Sequence, residues 1–287
     1  MIGSPSATST KKANEYSMSK SEFEFISAKA KSEFGLSLSS DKLTLVQSRL
    51  SKRLRLLGID SFSTYCSLLS TAKGQQEAMH MLSALTTNVT HFFREMHHFE
   101  ALAEEILPRL MLDNRLHDRI RIWSAGCSAG QEPYSIAATV LAKCPELLDR
   151  DFKILATDVD PEILKSAMSG KYSAEGISRI PNDFSRPLFL ETKENELVIN
   201  PELVKLIKFA RLNLIGDWPM SGKFDVIFCR NVAIYFDKET QARLWKRFHE
   251  ILTPGGVLCI GHSERLTEEI EQKFENVGLT MYRRLGN

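Results

Sequence analysis

The chain has 287 residues, 43% of them hydrophobic and 25% charged, with a formal net charge of +1. That composition fits a globular protein with one large or two modest cores, and it supplies no global field toward nucleic acid or an anionic membrane. Five dispersed cysteines (Cys66, Cys127, Cys144, Cys229 and Cys259) include no C-x-x-C. They fit reduced thiols better than disulfides or a zinc site. With no membrane-length apolar run and no signal-like start, the expected setting is the cytoplasm.

Residues 1–17 are rich in Ser, Thr, Lys and Ala without an apolar period, and are expected to form a disordered tail. From Ser19 to about Leu85 the pattern is helical. Ser21 to Phe34 places apolar residues at helical spacing and stops at Gly35. Asp41 is the expected N-cap of a helix over Lys42 to Leu57, closed by Gly58. Shorter helices are expected over Ser61–Ser70 and Gln75–Leu85. The expectation for 18–90 is therefore a small all-α domain. Its second helix carries Arg49, Lys52 and Arg53 at i, i+3, i+4 spacing. Such a stripe suits an acidic partner helix and equally an ordinary solvated face.

At the junction, Thr86-Thr-Asn-Val-Thr-His-Phe-Phe-Arg-Glu-Met-His-His-Phe99 mixes Asn88, Thr90 and Arg94 with Phe92 and Phe93, an odd composition for a linker. An arginine there can align a carboxylate bidentately. The neighbouring His97 and His98 lack i, i+4 ligand spacing, so no metal is expected.

Beyond about Asp118 strands and helices alternate, with strands expected over Arg119–Ser124, Phe152–Thr157, Ile207–Leu212, Phe224–Cys229 and Gly256–Gly261, and a closing strand over Leu279–Arg284. Helices are expected over Glu132–Ala142, Glu162–Met168 and Thr240–Leu252. This is an α/β pattern, a doubly wound and mostly parallel sheet over 91–287. The interval of about 170–206 interrupts it, and Leu188 to Ile199 reads as two apolar runs around a polar turn, an inserted β-hairpin. Its role is open between partner recognition and a stabilising flap.

The densest motif is Arg121-Ile-Trp-Ser-Ala-Gly-Cys-Ser-Ala-Gly-Gln-Glu-Pro-Tyr134, a strand entering a glycine turn and then a helix. Glu132 and Pro133 fall in the first helical turn, where both are well tolerated. The spacing of Gly126 and Gly130 is not G-x-G-x-x-G, and Glu132 would repel a pyrophosphate. Together these disfavour a NAD-linked oxidoreductase and favour a cofactor with an amino-acid end and no phosphate, such as S-adenosylmethionine. Asp158 ends the second strand, where a carboxylate can accept from a ribose diol. Asn213 and Leu214 after the third strand are placed to frame an adenine. Arg230 and Asn231 end the fourth strand near the methionine end, with Tyr235 just beyond.

The blocks Thr86–Phe99, Trp123–Ala137, Ala156–Leu164 and Phe224–Asp237, followed by His262-Ser263-Glu264, resemble the CheR family of S-adenosylmethionine-dependent chemoreceptor glutamate O-methyltransferases. The resemblance runs over roughly 20–285, and its Asn-x-Thr-x-Phe-Phe-Arg and Cys-Arg-Asn-Val-x-Ile-Tyr-Phe blocks are highly specific. It implies a class I methyltransferase-like domain, cofactor contacts at Asn88, Thr90, Arg94, Glu132, Asp158, Asn213, Leu214, Asn231 and Val232, and a substrate-orienting pair of Arg94 and Tyr235. It further implies that the helical domain faces a chemoreceptor cytoplasmic domain, with Arg49, Lys52 and Arg53 as receptor contacts. The product would be S-adenosylhomocysteine, with no metal and a monomeric enzyme. Family members that hold a receptor's C-terminal tether use a longer, glycine-bearing hairpin turn. Glu191 to Glu196 is short and lacks glycine, so tether binding is not expected here. A non-catalytic S-adenosylmethionine-sensing module is the alternative reading.

Overall fold

The computed structural model describes residues 16–87, 89–112, 119–173, 180–191 and 196–286. The expected tail lies outside these residues up to residue 15. Tyr16 departs from that expectation, because its ring meets Phe62 with centroids 6.5 Å apart. Asn88, the expected cofactor residue, and the centre of the Glu191–Glu196 turn also lie outside the described residues. Two compact units divide between Thr87 and Asn88.

The first unit is helical: α1 (Lys20–Phe34), α2 (Leu43–Leu57), α3 (Phe62–Leu69) and α4 (Gly74–Leu85). Ser19 opens α1 with a reciprocal capping box to Glu22, and Gly35 closes it in the left-handed region. Asp41 does not cap α2. A 3-10 turn, Ser40–Lys42, starts the coil one turn early and takes Asp41 inside it. Phe23, Ile26, Leu50, Leu54, Phe62 and Tyr65 are buried as the unit's core.

The second unit begins with α5 (His97–Ala101), which runs through a π-helical turn (Leu102–Ile106) into α6 (Leu107–Leu112). The alternating region then follows as β1 (Arg119–Ala125), α7 (Gln131–Lys143), β2 (Asp151–Asp158), α8 (Pro161–Ser169), β3 (Lys171–Ser173), α9 (Asn182–Leu188), β4 (Phe189–Glu191), β5 (Glu196–Ile199) and α10 (Pro201–Val204). It closes with β6 (Ile207–Arg211), β7 (Phe224–Cys229), α11 (Lys238–Ile251), β8 (Leu252–Ile260), α12 (Glu268–Glu271), β9 (Phe274–Gly278) and β10 (Met281–Arg284).

Seven strands form the main sheet in the order β6-β2-β1-β7-β8-β10-β9. The five strands from β6 to β8 are parallel, and β10 and β9 add antiparallel. Parallel strands are covered on both faces, which is why β7 is buried at every position. On β1, Ile120 and Ile122 join the cluster containing α5, α6 and α7 side chains, while Trp123 and Ala125 join the one with Trp245 and Phe248 of α11. The inserted hairpin is β4 and β5, paired antiparallel. β3 joins it on the other side of β5, so the insertion is a three-stranded sheet rather than a lone hairpin.

Candidate functional site

Strand order reverses at β1 and β7, neighbours from which the chain winds outward in both directions. Ligands in such sheets bind beyond the carboxyl ends of the strands at that point. Gly126 ends β1 with φ 83°, and a Cβ there would run into Cγ2 of Val232 in the loop after β7. The turn and the loop therefore touch only because residue 126 has no side chain. Ser128 N–H donates to Asp158 Oδ2 (2.9 Å), and Asp160 N–H donates to Oδ1 (3.1 Å). Asp158 thus ties the β1 turn to the end of β2. Burial pushes its carboxyl above the usual range, against the pull of those N–H groups.

Asn213 follows Leu212, whose N–H donates to Asp158 O (2.9 Å), so it lies beside the same strand end. Its Oδ1 accepts from Ile215 N–H (3.2 Å). Leu214 is the other residue expected to frame an adenine. Its side chain is buried in the cluster of Trp123 and Phe248, and its carbonyl accepts from Arg247 (2.8 Å) and Trp218 (3.2 Å).

A buried ionic cluster sits at the same edge. Ser124 Oγ donates to Glu132 Oε1 (2.7 Å), and Arg230 Nη1 lies 3.3 Å from Glu132 Oε2. The same guanidinium places Nε 3.4 Å from Glu95 Oε2, donates through Nη2 to Arg94 O, and covers the Phe99 ring. Burial raises the Glu132 carboxyl, with Arg230 and Ser124 pulling the other way. Glu95 is also desolvated, but Arg230 and His262 outweigh that and hold it below its ordinary value. Behind the cluster, Glu264 accepts the backbone N–H groups of Asn231 (3.0 Å), Val232 (3.0 Å), Ile234 (3.3 Å) and Gly261 (2.6 Å). That carboxylate shapes the loop carrying Asn231, Val232 and the 3-10 turn Ala233–Tyr235. Among the described residues, the non-glycine positions with positive φ are Phe93, Glu95, Ser128, Asn231 and Thr280. The first four lie in these loops, and the fifth holds His98 Nε2 through its hydroxyl (3.0 Å). Backbone strain concentrated in this way marks a functional site.

Two family models match the chain: the CheR methyltransferase SAM binding domain over residues 88–283 and the CheR methyltransferase all-alpha domain over residues 21–86. The chain belongs to the CheR methyltransferase family. It is 48% identical over 255 residues to a probable chemotaxis protein methyltransferase of Rhizobium etli, covering 88% of this chain and 95% of that one. A chemotaxis protein methyltransferase 2 of Pseudomonas aeruginosa is 42% identical, covering 86% and 87%. That of Salmonella typhimurium is 39% identical, covering 86% and 84%.

In this CheR methyltransferase six of the expected residues fall into two groups. Glu132, Asp158, Asn231 and Val232 are brought together around the Gly126 turn. Thr90 and Arg94 are half-buried on the loop that Arg230 holds, and Arg94 Nη1 donates to Val89 O (3.3 Å). Two of the three side chains of the basic stripe have partners inside the helical unit. Arg53 spends both nitrogens of its fork on Glu77 (2.8 and 2.7 Å), and Arg49 donates to Leu85 O and to Thr87 Oγ1 (2.9 Å). Only Lys52 of the three is exposed. The i, i+4 step that puts Arg49 and Arg53 on one side of α2 turns that side toward α4 and leaves both arginines half-buried. Glu95, His97 and His98 offer ligand atoms within 4.8 Å of one another, a metal-like grouping. The Arg230 guanidinium beside Glu95 already supplies the positive charge there. Sequence reasoning missed Ser124, Glu95 and the loop-building role of Glu264. The spacing of Glu264 from Gly261 gave no sign that its carboxylate gathers four backbone donors.

Proposed function

We propose that this chain transfers the methyl group of S-adenosylmethionine to glutamate side chains on chemoreceptor cytoplasmic helices, giving glutamyl methyl esters and S-adenosylhomocysteine. It would act as a monomer in the cytoplasm. The observation that carries the reading is the pair of half-buried, desolvated carboxylates, Glu132 and Asp158, flanking the Gly126 turn at the switch point of the sheet. S-adenosylmethionine presents a ribose diol, an ammonium, and a methyl on a positively charged sulfur that a carboxylate oxygen can displace.

Those features fit the residues present. Asp158, already bound to two N–H groups, has further lone pairs for a diol. Glu132 is a desolvated carboxylate that gains from a cationic neighbour. Thr90, Arg94, Asn231, Val232, Asn213 and Asn88 complete the proposed cofactor contacts, with Leu214 supporting them from the core. Arg94 and Tyr235 are assigned to align the substrate carboxylate. A glutamate is ionised near pH 7, so none of these residues has to act as a base. They work by alignment and by excluding water from two opposite charges that cancel on reaction. No role in this scheme calls on a metal.

The helical region 18–90 is assigned to receptor contact and 91–287 to the chemistry, with the insertion at about 170–206. With Arg49 and Arg53 engaged internally, Lys52 is the member of the basic set left to meet an acidic receptor helix. The short, glycine-free turn points to receptor engagement without a C-terminal tether. The test is incubation with methyl-labelled S-adenosylmethionine and receptor cytoplasmic fragments. Base-labile label on the receptor is expected. Label that survives base would move the acceptor away from glutamate.

A further inference from the structure

The inserted three-stranded sheet has no part in the chemistry just described, yet one of its side chains reaches the cofactor turn. Tyr172, central in β3, donates its hydroxyl to Ala129 O at 2.6 Å. Ala129 lies between Ser128, whose φ is 50°, and Gly130, whose φ is 94°, so the bond falls on the most strained part of the turn. A Cβ on Gly130 would come within 3.0 Å of the Tyr172 hydroxyl oxygen and 3.1 Å of Tyr134 Cε2. The turn is thus seated directly on the two tyrosines. On its other side the Tyr172 ring packs edge-on against Phe92, with centroids 4.9 Å apart, and Phe92 in turn packs on Phe189 of β4 at 5.2 Å. Phe92 belongs to the loop that carries Arg94. One side chain therefore joins the insertion, the cofactor turn and the arginine loop.

We propose that Tyr172 is a positioning residue for the cofactor turn, so that the inserted sheet sets cofactor affinity; this rests on the S-adenosylmethionine reading of the turn. The hydroxyl holds Ala129 O, and with it the Ser128 N–H that fixes Asp158 Oδ2 at 2.9 Å. Removing this part-buried hydrogen bond leaves the carbonyl without its donor. A turn with left-handed residues on both sides of the carbonyl then relaxes toward ordinary backbone. The consequence is felt in binding, because the turn is expected to contact the cofactor and not the substrate carboxylate.

The test compares the full chain with Tyr172→Phe and Tyr134→Phe by calorimetric titration with S-adenosylhomocysteine, alongside melting temperature and receptor methylation kinetics. Tyr134 is the control because its hydroxyl donates to Ala167 O of α8 (2.9 Å) and not to the turn. Tyr172→Phe is expected to raise Kd roughly two- to tenfold, the range for one hydrogen bond. The receptor KM and the rate at saturating S-adenosylmethionine should stay at the wild-type level, and Tyr134→Phe should leave Kd unchanged. An unchanged Kd for Tyr172→Phe, or an equal rise in both variants, overturns the proposal and leaves Tyr172 as packing. If the wild-type chain itself does not bind S-adenosylhomocysteine, the cofactor reading fails first and this inference with it.

Discussion

Each unit of the chain buries an arginine against carboxylate, and the two arrangements differ in kind. In the helical unit, Arg53 and Glu77 form a closed fork with both bonds under 3 Å, and the Tyr65 hydroxyl adds a third bond to Glu77 (2.9 Å). Among the described residues of that unit, every non-glycine backbone position keeps negative φ. In the second unit, Arg230 is divided among Glu95, Glu132 and the Arg94 carbonyl, with its charged contacts at 3.3 to 3.4 Å. Among the described residues Arg230 Nε, Glu95 Oε2 and His98 Nδ1 find no hydrogen-bond partner, and left-handed residues stand on both sides of Arg94. A saturated pair on relaxed backbone is a device for holding helices together. A shared cation on strained backbone is a device for holding other groups in place, stabilised by the fold around it.

The largest expected effect tests the first half of that contrast. Arg53→Ala leaves Glu77 buried, at 7% side-chain exposure, without its counter-charge. Breaking such a pair from one side costs about 3–5 kcal/mol, read as a lower urea midpoint with an unchanged receptor KM at temperatures where the variant is folded. Wild-type stability with a raised receptor KM would restore Arg53 to the receptor face.

The second half is tested at Arg94. Its one described side-chain hydrogen bond is to Val89 O at 3.3 Å, so Arg94→Ala should barely alter stability. If Arg94 aligns the substrate carboxylate, turnover should fall about a hundredfold, and Tyr235→Phe should fall in the same direction by less. Methylation at the wild-type rate in both variants would break the contrast, since the strained loop would then hold nothing of catalytic use.

Asp158 sharpens it further. Asp158→Ala should weaken S-adenosylmethionine binding by about 1.5–3 kcal/mol, the range for hydrogen bonds to a charged group. Calorimetric titration checks this, and an unchanged affinity would remove Asp158 from the site. The effect should sit in binding rather than in turnover at saturation, the reverse of Arg94.

Much of this was legible in the sequence, for identifiable reasons. Gly126 and Asp158 lie at strand ends and Glu132 in the first turn of the following helix, so local pattern places them at the crevice. The β7 strand was readable to the residue because parallel burial leaves an apolar run, Val226 to Cys229, interrupted only by Asp225 after Phe224. The helix from His97 to Leu112 was overlooked, although Phe99, Leu102, Ile106 and Leu110 recur at helical steps and are all buried. Strand β3 has three residues and no alternation to detect, and its place was set by pairing with β5. Arg53 and Glu264 show the harder limit. Spacing tells which residues share a helix face or follow a strand, but the partner that decides their role comes from elsewhere in the chain.

The last effect, about 2 kcal/mol by pH 5, concerns the acid stability of the strained cluster. The Thr280 hydroxyl donates to Leu279 O (2.7 Å) and so accepts from His98 Nε2–H (3.0 Å). That fixes the neutral ring with Nδ1 as an acceptor, facing Glu95 Oε2 at 3.7 Å. Burial first, then the charges of Arg230 and His97, push the His98 pKa down to about 3 from 6.5, with Glu95 opposing them. Between those values the unfolded chain binds a proton that the folded chain refuses. Stability is therefore complete above about pH 6.5 and declines as pH falls toward 3, by up to about 1.4 kcal/mol per pH unit. Glu95, held below its ordinary value, gives a slope of the same sign at lower pH, but that slope remains when His98 is replaced. The difference between wild type and His98→Gln in urea midpoints from pH 7.5 to 5 isolates the histidine. A shallower decline in the variant is expected. Parallel curves would mean that a protonated Nδ1 donates to Glu95 in the folded chain and that Glu95, rather than Arg230, governs His98, so the cluster would be a closed pair after all, closer in kind to Arg53 and Glu77.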